Sequence, residues 1–209
     1  EVTDDQAALI EPTAVAMYGV DRGQIGAGST VLVSGAGPIG ALTVICARAA
    51  GASLIIVSEP NPNRRRIIQG IDPAVVVVDP ATSKPGDVAR DLTEDNVGVD
   101  VALECVGLEV SLNTCVDAVR RGGKVVQVGL HMKPASVDAM LWALKDISVE
   151  ATWCYPTYVW PRIAGLIAAG NLPVEKVITG RIDADDVVEK GFEALLDPSG
   201  EHLKILVNT

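Results

Sequence analysis

The sequence predicts an α/β protein, a doubly wound parallel sheet of strand order 3-2-1-4-5-6 with helices on both faces. Three observations predict it. Six short apolar runs alternate with helical stretches, and the runs carry little internal polar alternation, as strands buried on both faces require. The first run, Val31 to Val33, leads directly into a Gly-x-Gly-x-x-Gly turn at Gly35, Gly37 and Gly40. The second run, Leu54 to Val57, ends in Ser58-Glu59, which sets an acid 19 residues after Gly40.

Each residue of that turn has a physical task. Gly35 permits the tight turn, Gly37 lets a pyrophosphate approach the backbone, and Gly40 lets the following helix pack closely on the sheet. Pro38 suits the first helical turn, where its fixed φ is already right and its missing N–H costs little. With Ile39 it opens a helix whose unpaired N–H groups point at an anion. Glu59 stands where such a fold places an acid on ribose hydroxyls. A lone glycine-rich turn beside a solvated glutamate would be unremarkable, but strand, turn, helix, strand and acid occur here in order, which makes this a dinucleotide site. Arg64, Arg65 and Arg66 follow on the next helix. They read equally well as a solvated face and as a contact to the adenosine end.

Bulk properties narrow the function classes. The 209 residues hold one full domain and part of another, and 48% hydrophobic with 21% charged residues describes an ordinary globular protein. A net charge of −10 argues against nucleic acid and anionic membrane surfaces as partners. No apolar run reaches the length of a membrane span, and no signal peptide opens the chain. Cys46, Cys105, Cys115 and Cys154 are scattered with no C-x-x-C spacing. They read as reduced cysteines of a cytoplasmic protein rather than disulfides or a zinc knuckle. The first residue is Glu1, not Met, which suggests a fragment or a processed or trimmed chain.

The elements follow in order. Thr3-Asp4-Asp5-Gln6 is a capping box that opens a helix over 4–20, with Pro12 kinking or interrupting it. Gly26 and Gly28 mark the passage into the first strand. An Ala-rich helix over 41–50 ends at Gly51. After Glu59, Pro60-Asn61-Pro62-Asn63 turns the chain into the arginine-bearing helix. A third strand spans 75–78, a third helix 85–94, and a fourth strand 99–105. A helix over 109–119 and a turn at Arg121-Gly122-Gly123-Lys124 lead to a fifth strand at 125–128, closed by Gly129. A helix at 140–145 and a sixth strand at 147–153 complete the alternation. Ligand binds outside the carboxyl ends of such strands. That sets Cys105-Val106-Gly107 and Val128-Gly129-Leu130 along the crevice, where each could equally be turn chemistry after a strand. A helix at 161–169, a strand at 177–182, a helix at 184–196 and a strand at 203–207 break the pattern. Neither late strand completes the six-stranded sheet, so both are expected to reach toward another domain.

Five segments now carry a resemblance: Ala7-Ala8-Leu9-Ile10-Glu11-Pro12, Val33 through Gly40, Asp100 through Gly107, Arg121 through Lys124, and Gly191 through Leu196 with Lys204 through Val207. In that order and spacing the chain resembles the carboxyl-terminal part of a zinc-dependent medium-chain dehydrogenase, in the polyol and butanediol dehydrogenase branch. The resemblance implies a Rossmann domain over 23–155. Residues 1–22 would be a hinge helix leading in from a GroES-like catalytic domain absent from this sequence, and 156–209 a segment returning to it. It implies that Glu11 binds zinc or hydrogen-bonds its water, that Glu59 holds ribose, and that Arg64 lies against adenine. Cys105, Val106 and Val128 through Leu130 would run along the cofactor. Cys154 and Tyr155 would fall near the nicotinamide. The zinc-binding Cys and His-Glu pair of the family are not in this sequence, whose two histidines, His131 and His202, lie in no such pair.

The implied reaction is hydride transfer between a secondary alcohol, or the ketone, and NAD, with zinc as Lewis acid in the full-length protein. Glu59 favours NAD over NADP, because a carboxylate repels a 2′-phosphate. Taken alone the chain would bind dinucleotide without catalysis, and an exposed sixth strand could pair with its copy in a homo-oligomer. Other readings of the same residues are a zinc-free quinone or enoyl reductase, a non-catalytic dinucleotide sensor, and a methyltransferase. Glu11 speaks against the first, the late strands against the second, and the Pro-Ile-Gly helix start against the third.

Overall fold

Local sequence sets the elements of the computed structural model, which describes residues 1–208; the last residue of the 156–209 segment lies outside the described residues. The chain runs α1 (Asp4–Ala7), α2 (Ile10–Gly23), β1 (Thr30–Ser34), α3 (Pro38–Ala50), β2 (Leu54–Ser58), α4 (Pro62–Ile71), β3 (Val76–Val78), α5 (Pro85–Leu92), β4 (Val99–Glu104) and α6 (Glu109–Ala118). It continues through β5 (Val119–Gln127), α7 (Ala139–Lys145), β6 (Ser148–Ala151), α8 (Val159–Ala168), β7 (Ile178–Asp183), α9 (Ala194–Leu196) and β8 (Lys204–Asn208). Six strands form one parallel sheet in the order β3-β2-β1-β4-β5-β6, as the sequence predicts. In register, Val31, Leu32 and Val33 lie beside Ile55, Ile56 and Val57. All six are fully buried. Val31 and Val33 face a core shared with α2, α3 and α8, while Leu32 and Ile56 face the α5 and α6 side. Two covered faces explain why these runs lack polar alternation.

The structure departs from several predicted boundaries, for local reasons. The helix expected over 4–20 is two helices, broken at Ala8 and Leu9 rather than at Pro12. The capping box forms: Gln6 N–H donates to Thr3 Oγ1 (3.3 Å) and Thr3 N–H to Gln6 Oε1 (3.1 Å). Pro12 sits in the first turn of α2, where its missing N–H needs no partner. Ala14, Ala16, Met17 and Val20 of α2 lie buried in the same apolar cluster as Val31 and Val33. The α3 helix, with its Ala-rich body expected over 41–50, starts at Pro38, which takes the first helical position as expected. Helix α5 stops at Leu92, and a single-turn 3₁₀ segment, Glu94–Asn96, replaces its expected end.

Arg121 through Lys124, expected as a turn before the fifth strand, lies within the span of β5. The pairing nonetheless jumps from Val99↔Val119 to Val101↔Lys124, so residues 120–123 bulge out of the ladder, with Gly122 at φ +69°. The expected 184–196 helix is a 3₁₀ turn (Ala184–Asp186), a π-helical stretch (Val187–Glu193) and α9. Its one buried residue in the π stretch is Gly191, where a Cβ would lie 3.1 Å from Ile182. β6 is shorter than expected at four residues, and β7 pairs with β8 in a separate two-stranded parallel sheet. Among the described residues no helix is long and apolar enough to cross a membrane.

Candidate dinucleotide-binding site

The glycine turn joins the sheet to α3. Gly35 stands at φ +99°, open to glycine and costly for other residues, and its N–H donates to Ser58 O at 2.8 Å. A Cβ on Gly40 would sit 2.0 Å from Gly35 O, so helix and turn touch only because Gly40 has none. Gly37 differs. A Cβ there would meet nothing within 4 Å. Packing within the chain does not demand that glycine, so a group brought from outside would have the use of the space. Gly37 opens α3 without any side-chain cap, and Pro38 takes the first helical position. The positive end of the helix is therefore left to the cleft that Gly35 and Gly37 line.

That cleft has two hollows along the carboxyl ends of β1, β4 and β5. The first, about 330 Å³, lies between Gly35, Gly37, Glu59, Arg64, Val106 and Ser111. Glu59 is 4% exposed; its Oε2 accepts Ala36 N–H and its Oε1 accepts Asn61 N–H, both at 2.8 Å. These bonds fix the carboxylate at the end of β2 while each oxygen keeps acceptor capacity. The three arginines separate. Arg65 is tied down, donating to Glu59 O (2.9 Å) and Pro60 O (2.6 Å) and pairing with Asp79 at 3.0 Å. Arg66 is exposed. Arg64 lines the hollow, and its Nε is buried without a hydrogen-bond partner.

The second hollow, also about 330 Å³, lies between Val15, Ile39, Val128, Gly129, Leu130 and Cys154. Cys105 and Val106 line both hollows and so stand at the middle of one groove. The Cys105 residue is half-buried, but its sulfur is turned onto Thr43 Oγ1 at 3.7 Å. Burial pushes its thiol up to about 12, with Thr43 opposing and Glu104 adding to the rise, so it serves as wall and not as nucleophile. Of these candidates, Gly35, Gly37, Ile39, Glu59, Arg64, Cys105, Val106, Val128, Gly129 and Leu130 line this groove, whereas Pro38 and Gly40 line neither hollow.

Glu11 lies apart from them, exposed on α2 one turn before Val15. It stands beside Tyr155, whose hydroxyl is held above its ordinary value by burial and then by the Glu11 carboxylate. Glu11 and Tyr155 do not line the second hollow; their chain neighbours Val15, one helical turn on, and Cys154 do. Among the described residues no group of three or more His, Cys, Asp or Glu side chains could hold a metal ion.

Glu104 lies within the segment Asp100 through Gly107, and its neighbours in sequence assign it no task. The structure shows it wholly buried at the end of β4. Its Oε1 accepts Val106 N–H (2.7 Å) and Gly107 N–H (2.8 Å), and its Oε2 lies 3.1 Å from His131 Nε2. The signal was present: an acid that closes the buried apolar run Val101 to Leu103 has to find partners.

Comparison with known proteins matches residues 38–169 to the family model described as zinc-binding dehydrogenase. L-arabinitol 4-dehydrogenase of Aureobasidium melanogenum is 32% identical over 213 residues, which cover 100% of this chain and 57% of that protein. The crystal structure of 2R,3R-butanediol dehydrogenase from Bacillus subtilis superposes with a TM-score of 0.90 at 32% identity, covering 100% of this chain and 58% of that one. A putative zinc-binding dehydrogenase from Sinorhizobium meliloti 1021, solved bound to NADP, gives a TM-score of 0.84 at 29% identity, covering 97% of this chain and 58% of the other. The chain therefore spans somewhat more than half the length of these relatives.

Proposed function

This chain belongs to the zinc-binding dehydrogenase family, and from that premise we propose that it is the nucleotide-binding part of an oxidoreductase that moves hydride between a secondary alcohol, a butanediol or a polyol, and NAD. The observation that carries the reading is the glycine turn. Gly40 is required by the chain's own backbone, whereas Gly37 leaves open space at an uncapped helix start, the room a pyrophosphate needs. Adenosine then occupies the first hollow, its ribose hydroxyls on Glu59 and its ring near Arg64. The middle of the dinucleotide passes Cys105 and Val106, and the nicotinamide enters the second hollow beside Ile39, Val128, Gly129 and Leu130.

Bound NAD would supply the hydride-accepting ring. The residues of this chain hold it: Glu59 accepts hydroxyl hydrogens, the α3 start neutralises the pyrophosphate, and the apolar second hollow excludes water from the ring. Zinc does not fit the described residues alone, because among them Glu11 belongs to no group of three or more metal-ligating side chains. We assign Glu11 to the edge of a metal site, binding the ion or its water, with the remaining ligands coming from a further catalytic domain. A cytoplasmic setting, reduced cysteines and a homo-oligomer paired along the open edge of β6 belong to the same proposal; β6 has a partner strand, β5, on one side only.

NADH and NADPH titrations of the chain test the proposal. NADH should bind about tenfold or more tightly than NADPH, the size of effect a fixed carboxylate has on a phosphate placed against it. Glu59→Ser should weaken NADH and narrow that gap. Tighter NADPH binding by the unaltered chain overturns the NAD preference, and failure to bind either overturns the site.

A further inference from the structure

Glu104 stands at the junction of the two loops that wall the second hollow. Its backbone carbonyl accepts Val128 N–H and Gly129 N–H, both at 2.8 Å, and its side chain accepts the Val106 and Gly107 amides. One residue thus holds the loop after β4 and the start of the loop after β5. The loops also press together: a Cβ on Gly107 would lie 2.3 Å from Leu130 O, and one on Gly129 would lie 2.7 Å from Glu104 Oε2. His131, at the far end of the second loop, closes the arrangement. Its side chain is 13% exposed and its Nε2 lies 3.1 Å from Glu104 Oε2. An ionised carboxylate only accepts, so against an ionised Glu104 it is the Nε2–H tautomer that makes this hydrogen bond.

We propose that Glu104 and His131 are positioning residues, a clasp that holds loops 105–108 and 128–131 in register and so fixes the width of the hollow that takes the nicotinamide. This rests on the NAD reading above: Val106 lines both hollows, but Gly129 and Leu130 line only the second, and the clasp makes no contact with Glu59 or Arg64 in the first. The physical reason is a shortage of partners. Glu104 Oε1 is already committed to two backbone amides, so Oε2 depends on His131. Remove His131 and a wholly buried carboxylate oxygen loses its partner, at a cost the loops can relieve only by moving. The other titratable groups that face Glu104 are thiols: Cys105 beside it, and Cys115 from α6, held well above its ordinary value by burial first and then by Glu104. Neither carries a charge to substitute for the imidazole.

The test compares NADH with ADP-ribose, which lacks the nicotinamide, on the full chain. The unaltered protein should bind NADH more tightly than ADP-ribose. In His131→Leu the NADH affinity should fall about tenfold while ADP-ribose binding stays within about twofold. His131→Gln, which restores an N–H near the Nε2 position, should recover most of the loss. Equal losses for both ligands would mark His131 as merely structural and overturn the proposal, as would an unchanged gap in His131→Leu. An unaltered chain that binds both ligands equally also overturns it, but leaves the adenosine site standing. One that binds neither overturns the NAD reading itself. A measurement that needs no destabilising variant guards against misfolding. The chain has two histidines, so His202→Gln identifies the His131 imidazole resonance. That resonance should move on adding NADH and stay still with ADP-ribose; a signal indifferent to NADH overturns the clasp.

Discussion

Two parallel sheets occur in this chain, and they are built to opposite rules. In the six-stranded sheet, Val31 to Val33 and Ile55 to Val57 are wholly buried between helical layers. In the two-stranded sheet no residue of β7 or β8 is fully buried, and Val188, Phe192, Leu195, Leu196 and Val207 stand exposed around it. β7 reads Ile-Thr-Gly-Arg-Ile-Asp, apolar alternating with polar, where β1 reads Thr-Val-Leu-Val-Ser. Alternation in β7 fits cover on one face at most, whereas β8 reads Lys-Ile-Leu-Val-Asn without alternation and is still not fully buried. An unbroken apolar run therefore marks a strand with both faces covered only where helical layers lie on both sides. The difference also bears on where the dinucleotide groove lies. Glu59 and Glu104 both stand at the carboxyl ends of strands in the buried centre of the six-stranded sheet, β2 and β4.

Hydrogen exchange should show the largest contrast. Amides of Val31 to Val33 and Ile55 to Val57 open only with the whole domain, whereas Arg181 to Asp183 and Leu206 to Asn208 can open locally. With global stability of about 5–15 kcal/mol and local opening a fraction of that, the core amides should exchange more than about a thousandfold more slowly. Uniform protection across both sheets would break the comparison and make β7–β8 part of one cooperative unit.

A second contrast lies inside the groove. Gly40→Ala drives a methyl onto Gly35 O, and should cost about 1–3 kcal/mol of stability as overpacking does. Gly37→Ala meets open space in the chain, and should leave the melting temperature within a degree or two while lowering NADH affinity about tenfold. A Gly37→Ala chain that binds NADH normally would remove the argument for a pyrophosphate at that place. Thermal melts and NADH titrations of the two variants read both effects.

Much of this was legible in the sequence because it was local or periodic. Gly35, Gly37, Gly40 and Glu59 form a fixed-offset pattern; the apolar runs mark the strands, and that pattern at the first strand implies their order. What the sequence hid was long-range. Nothing near Glu104 in the chain announces His131, which is 27 residues away in sequence and 3.1 Å away in space. The arginines could not be sorted until Asp79 and the carbonyls of Glu59 and Pro60 were seen to occupy Arg65. The β5 bulge was hidden too, since Gly122 and Gly123 signal a turn and a bulge equally. The late helix misled because its spacing is apolar enough for an α-helix, while the buried Gly191 lies against Ile182 within a π stretch.

Glu11 gives the smallest effect on this chain and the sharpest on the proposal. It is exposed, its nearest described neighbour of note is Tyr155, and no set of metal ligands surrounds it. An exposed carboxylate whose described partner is the Tyr155 hydroxyl contributes little to folding, so Glu11→Ala should shift stability by less than about 0.5 kcal/mol. The chain, altered or not, should bind no zinc tightly, because a carboxylate is an acceptable zinc ligand but one ligand cannot hold the ion. In the complete dehydrogenase that the proposal requires, the same substitution should lower zinc content and turnover together, while NADH binding by the groove is unchanged. Metal analysis beside NADH titration separates the two sites. Wild-type zinc content and turnover in Glu11→Ala would remove Glu11 from the metal edge, and would leave the nucleotide groove untouched.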